Sequence, residues 1–170
     1  SGNPPYITYS LGRGRTKSES VDLEYLIAKW TNSCDYKINS FAIFYELASK
    51  IINQNGYAAF IVPGTILINE SLNKIRRYFV NNNLLQFYHK LDYKVFNDAE
   101  MGDCAIIVIS HKSNKKHILS LYSNSESTIK SPEINKIEID DIKSIEDYRF
   151  LKKSEDYNLL KTKDNLIPLG

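Results

Sequence analysis

The chain has 170 residues, 42% hydrophobic and 25% charged, and its 22 basic and 20 acidic residues leave a formal charge of +2. That length and apolar content suit one globular domain, and so nearly balanced a charge neither requires nor excludes a nucleic-acid partner. No apolar run approaches the roughly 20 residues needed to span a bilayer. Cys34 and Cys104 form no CxxC pair, which leaves a disulfide framework or a metal site without support. No charged-then-apolar leader opens the sequence, so a reducing cytoplasm is the expected location.

The first chemical feature is Asn3-Pro4-Pro5-Tyr6. A residue before proline is pushed toward extended geometry, and proline fixes its own φ near −65°. The segment should therefore be a stiff loop that offers acceptors, the Asn3 side-chain oxygen and the Pro4 carbonyl, beside the flat face of Tyr6. Two acceptors next to a stacking plane suit a planar amino group on a ring. Accepting both of its N–H bonds makes the nitrogen lone pair more available to a methyl donor on the opposite side, with positioning and electrostatics supplying the catalysis. An ordinary proline-rich turn is the alternative reading. Arg13, Gly14, Arg15 and Lys17 follow as a basic stretch, suited either to backbone phosphates or to a solvated loop.

Phe41, Phe44, Tyr45, Ala48, Ile51 and Ile52 follow the i, i+3, i+4, i+7 rule and predict an amphipathic helix over 41–54. Ser40 is its expected N-cap and Gly56 its left-handed terminator. The nearly all-apolar run Tyr57 to Val62, closed by Pro63-Gly64, reads as a strand buried on both faces of a parallel sheet. Leu72, Ile75, Tyr78 and Phe79 define a second helical face, with Lys74, Arg76 and Arg77 pointing elsewhere and Asn81-Asn82-Asn83 ending the helix. Leu84 to His89 and Cys104 to Ser110 read as strands joined by a polar loop that carries Phe96. His117 to Tyr122 suggests a third, peripheral strand, and beyond residue 125 the chain turns polar. His89, His111 and His117 show no metal-ligand spacing. Asp92 and Asp98 have no necessary role in amine chemistry of this kind.

The tetrapeptide, with NSFAIFYELASKIINQNGYAAFIVPGTIL, NKIRRYF and YKVFNDAEMGDCAIIVIS after it, resembles the N6-adenine DNA methyltransferases of restriction–modification systems, whose catalytic motif is NPPY. The likeness covers about the first two thirds of the chain. It implies an α/β, partial Rossmann-like class I methyltransferase fold: the second half of the sheet, with a C-terminal antiparallel hairpin and flanking helices. It also implies S-adenosylmethionine as cofactor and DNA as partner. Residue by residue, it makes Asn3, Pro4, Pro5 and Tyr6 catalytic, turns Asn3 toward the cofactor, and stacks Tyr6 and Phe96 on a flipped adenine. Arg13, Arg15 and Lys17 become candidate DNA contacts.

The family's glycine-rich cofactor loop and acidic ribose-binding residues belong before NPPY, and Gly12-Arg13-Gly14 is no substitute for them. The chain is therefore read as the C-terminal half of a catalytic domain over 1–125. Residues 126–170 would be a polar extension toward a target-recognition region. Such a piece would be inactive alone and could self-associate through an uncovered sheet edge. Two alternatives stay open: a protein glutamine-amide methyltransferase, which also uses NPPY, and a non-catalytic methyltransferase-like module.

Overall fold

The computed structural model describes residues 1–10, 23–96, 102–112 and 116–164. Arg13, Gly14, Arg15, Lys17 and Asp98 lie outside the described residues. In chain order the elements are β1 (Thr8–Ser10), α1 (Leu23–Lys29), β2 (Lys37–Asn39), α2 (Ser40–Ile51), β3 (Tyr57–Pro63), α3 (Asn73–Asn81), β4 (Leu85–Leu91), β5 (Cys104–Ser110), β6 (His117–Ser123), β7 (Glu133–Glu138), α4 (Ile139–Lys143) and α5 (Ser154–Asp164). Among the described residues no helix is long and apolar enough to cross a membrane.

Five strands form the main sheet in the order β3-β5-β4-β6-β7, and β1 and β2 form a separate antiparallel pair. The uninterrupted apolar sequence Cys104 to Ile109 fits the centre of such a sheet, and β5 pairs antiparallel with β3 on one side and β4 on the other. The α/β character expected from sequence is present, but the neighbours of β3 differ from expectation. It is antiparallel to β5 and only partly buried along its length. Its parallel partner is the backbone of Gly2, which bridges Phe60 on the outer edge. Nor is β6 peripheral: it runs parallel to β4 and takes β7 antiparallel on its far side. The edge strand β7 has charged, exposed Glu133, Lys136 and Glu138, which discourages pairing with a further strand.

The second and third helices carry the two long buried charges. In α2 the inward face holds Phe41, Tyr45 and Ala48, as periodicity predicts, but also Ala42, Glu46 and Ser49. Phe44 and Ile51, expected inside, are exposed. The face rotates because Glu46 has partners: it accepts hydrogen bonds from Ser33 Oγ (2.7 Å) and Asn32 Nδ2 (3.1 Å) and pairs with Lys50 (2.9 Å). A buried carboxylate is tolerated on those terms. The helix stops at Ile52, whose backbone is extended at φ −66° and ψ 138°. Gly56 lies in the turn beyond, donating its N–H to Asn53 O, so it does not end the helix directly.

Helix α3 buries Ile75, Phe79 and Val80, and Leu72 just before it is also buried. Arg76, expected on the outer face, is fully buried. Its guanidinium donates to the carbonyls of Ile66 (3.1 Å), Asn69 (2.7 Å) and Asp147 (2.8 Å). Arg77 lies over the Tyr148 ring, 4.8 Å from its centroid. Together they fasten the segment after α4 to the sheet layer. Asn83 closes α3 with φ 54°, a left-handed value asparagine tolerates well.

Where sequence suggests a polar extension after residue 125, the described residues are folded. Ile137, Ile142, Ile145, Phe150 and Tyr157 belong to the same buried core as β3, β4 and β5. Tyr88 and Phe150 stack at 5.1 Å. Tyr157 donates its hydroxyl to Arg149 O and accepts from the Leu151 N–H, both at 2.8 Å.

Candidate active site

The Asn-Pro-Pro-Tyr loop is held alongside the middle of β3. Gly2 donates its N–H to Ala59 O (3.0 Å) and accepts from Ile61 N–H (3.2 Å), so the chain enters the loop running in the direction of β3. Pro4 is buried and Tyr6 half-buried, whereas Asn3 and Pro5 are exposed. A proline without an N–H to satisfy can be buried here at no hydrogen-bonding cost. The Asn3 amide is left at the surface.

The Tyr6 hydroxyl lies 2.9 Å from Ile61 O and also contacts Asn3 Oδ1. It has one proton and two acceptors, and Asn3 Oδ1, with two lone pairs, can still accept a second donor while it holds the phenol. Burial first, and the nearby Cys104 thiol second, push the Tyr6 phenol above its ordinary value, which keeps it a donor. Its ring and that of Phe41 pack edge-to-face, with centroids 6.2 Å apart and an interplanar angle of 80°, which ties Tyr6 to the core.

Phe96 sits on the loop between β4 and β5 and is half-buried. The register shows where that loop emerges. Leu91, the last residue of β4, pairs with Cys104, the first of β5, and Cys104 in turn pairs with Pro63 at the end of β3. The hairpin loop and the Asn-Pro-Pro-Tyr loop therefore leave the same end of the sheet. Among the described residues the aromatic contact recorded for Tyr6 is Phe41, not Phe96. The structure thus brings Asn3 and Tyr6 together and places Phe96 at the same edge without closing the pair.

The hairpin is tied to the end of β3 by backbone. Gly64 donates to Asp103 O at 2.9 Å, and a Cβ on Gly64 would meet Asp103 Oδ2 at 2.7 Å and its carbonyl oxygen at 3.1 Å. Any larger residue there would have to push the Asp103 carboxylate aside and press on its carbonyl. Asp92 accepts from the Tyr122 hydroxyl at 2.6 Å and lies 3.5 Å from Lys90. The Tyr122 hydrogen bond chiefly holds its carboxyl below the usual range. It is an anchored anion on the loop's first residue and has no contact with Asn3 or Tyr6.

Sequence reasoning missed the groups that hold the loop from behind, namely Asn39, Ser40 and the Ile61 carbonyl. Among the described residues no group of three or more His, Cys, Asp or Glu side chains could hold a metal.

A strand end bearing a stiff acceptor loop, a helix behind it and an antiparallel hairpin beside it define part of a methyltransferase fold. Two solved structures share the layout. One is the methyltransferase subunit of a type I restriction-modification system from Streptococcus thermophilus, 12% identical with a TM-score of 0.58, covering 75% of this chain and 33% of that one. The other is DrdV in its DNA complex, 14% identical with a TM-score of 0.57, covering 88% of this chain and 18% of that one. No curated protein matches the chain. Residues 2–96 match the Eco57I restriction-modification methylase family, and the chain belongs to that family. It spans a third or less of the length of these two structural neighbours.

Proposed function

We propose that this chain is the target-amine half of the catalytic domain of a DNA methyltransferase in a restriction–modification or phage-defence system, and that the group methylated is the N6 amine of adenine. The observation that carries this reading is the Asn-Pro-Pro-Tyr loop itself. It is locked alongside the middle of β3 by the Gly2 backbone bonds, with Asn3 exposed and Tyr6 beside it.

In this reading Asn3 Oδ1 and the Pro4 carbonyl accept the two N–H bonds of the exocyclic amine. That draws the nitrogen out of conjugation with the ring and directs its lone pair away from the loop. Tyr6 supports one face of the base, and Phe96 the other. The base has to leave its duplex stack to reach them, because the amine is inaccessible there. S-adenosylmethionine, when bound, supplies a methyl group on a sulfonium, transferred as the carbon–sulfur bond breaks and the amine gives up a proton to water. The groups around Asn3 fit that partner: they are neutral carbonyls and a protonated phenol, which hold an uncharged amine without competing for the methyl. Of this chain's residues, Asn3 is the one turned toward the cofactor. Arg13, Arg15 and Lys17 are proposed to meet DNA phosphates.

The test uses the full-length protein that contains this chain, with tritiated S-adenosylmethionine and duplex DNA. Asn3→Ala is expected to lower methylation by about 10²- to 10³-fold, the range for losing one preorganised polar group at a reacting centre. Because Asn3 is exposed, its melting temperature should stay near the wild type. Undiminished methylation by that variant overturns the catalytic assignment. Methyl transfer to a protein glutamine amide, with none to DNA, overturns the substrate.

A further inference from the structure

Three consecutive residues at the start of α2 grip four consecutive residues of the catalytic segment. Asn39 Oδ1 accepts from Thr8 Oγ1 at 2.9 Å. Ser40 binds on both sides of Tyr6: its Oγ accepts from the Ile7 N–H at 2.9 Å and donates to the Pro5 carbonyl, and its backbone N–H donates to Ile7 O at 2.9 Å. Phe41, only 3% exposed, packs its ring edge-to-face with that of Tyr6.

Ser40 is therefore not spent as the helix cap. The N-cap is Asn39, whose side chain makes no cap bond, so both polar side chains at this helix start face the loop. Proline supplies no N–H and Pro5 is exposed, so the stretch from Asn3 to Ile7 has few ways to hold itself in place. Among the described residues, the Ser40 hydroxyl is the one side chain bonded to both peptide neighbours of Tyr6.

We propose that Ser40 is a positioning residue for methyl transfer. It fixes the backbone on either side of Tyr6, and through it sets where the Asn3 and Pro4 acceptors lie relative to the target amine. This rests on the amino-methyltransferase reading above. Misplacing a reacting group by about 1 Å can cost on the order of 10²-fold in rate, and one lost anchor among several gives a smaller displacement. Ser40→Ala removes both Oγ bonds while leaving the backbone bond, the helix and Phe41 in place.

The experiment compares wild type, Ser40→Ala and Ser40→Thr in the full-length protein, with two readouts. Steady-state methylation should show kcat about tenfold lower in the alanine variant, with KM for DNA within about twofold. Threonine, which keeps the hydroxyl, should restore most of the rate. Hydrogen exchange at the Ile7 amide should be faster in Ser40→Ala, with the melting temperature within a few degrees of wild type. An unchanged kcat, a loss carried by KM, or failure of threonine to restore the rate overturns the proposal. If wild type methylates no DNA, the substrate reading fails on its own. Ser40 is then judged by Ile7 exchange and by the same kcat split on whichever amide or amine is methylated.

Discussion

The two ends of this chain meet the same sheet in opposite ways. Residues 2 to 8 are attached by a handful of hydrogen bonds to Ala59, Ile61, Asn39 and Ser40, and most of their side chains are exposed. Residues 145 to 157 are attached by burial: Ile145, Phe150 and Tyr157 are each under 5% exposed, and a buried arginine reaches into their backbone. The first kind of attachment positions a surface without contributing much stability. The second contributes stability without presenting a surface. Fully burying a large apolar side chain is worth about 1.5–3 kcal/mol, whereas a neutral hydrogen bond nets about 0.5–1.5 kcal/mol. Substitutions in the two regions should therefore separate activity from stability.

The largest stability effect falls in the second region. Arg76→Met keeps much of the apolar stem but leaves the carbonyls of Ile66, Asn69 and Asp147 without their donor. The Ile66 bond is buried and the other two are part-buried; a stranded buried carbonyl costs about 1–3 kcal/mol and a part-buried one less, so a loss of about 2–4 kcal/mol is expected in urea unfolding. Burial already pulls this guanidinium down to about 10 against the opposing charge of Asp147, yet it stays protonated at neutral pH. A variant as stable as wild type would mean that the C-terminal segment is held by its apolar contacts alone. Asn3→Ala is the counterpart: a large loss of methylation with little change in stability.

Tyr157→Phe is a milder cut in the same region. It keeps the ring in the core and removes the hydroxyl that joins Arg149 O to the Leu151 N–H. A cost of about 1–3 kcal/mol is expected, again by urea unfolding, with kcat on DNA unchanged in the full-length protein. A kcat loss larger than the stability loss would break the division between the two regions, because it would couple Tyr157 to the far loop.

What could be read in advance follows the same division. Interior strand β5 and helix α3 are legible because their apolar spacing is local and strong. The inward turn of Arg76 and Glu46 is not, since a charge is read as solvent-facing until its partners are known. For Arg76 the partners on Asp147 and Tyr148 lie 71 and 72 positions away. Strand β7 reads as polar because only Ile137 of its six residues is buried, which hid both the strand and the interior position of β6. In the site, Asn3 to Tyr6 is legible because its chemistry is contiguous. The grip of Ser40 is not, because it joins positions 33 and 35 apart and a serine before a helix already has a simpler explanation as a cap.

The smallest expected effect is a pH dependence at β4, midway between the two attachments. His89 is 6% exposed, with Nε2 2.8 Å from Ser123 Oγ. Burial lowers its pKa from the ordinary 6.5, because the cationic form loses solvation. Between the folded value and 6.5 the unfolded chain binds more protons than the folded one, so stability rises with pH in that window. The contribution is complete above pH 6.5 and is lost as pH falls through the depressed folded value. Urea midpoints for wild type at pH 7.5 and 5.5 should therefore differ, with the lower value at 5.5, and His89→Gln should narrow that gap. Carboxylates titrate in the acid range as well, so the diagnostic quantity is the difference between the two proteins. An identical gap in both would show that folding leaves the His89 pKa where it is in the unfolded chain.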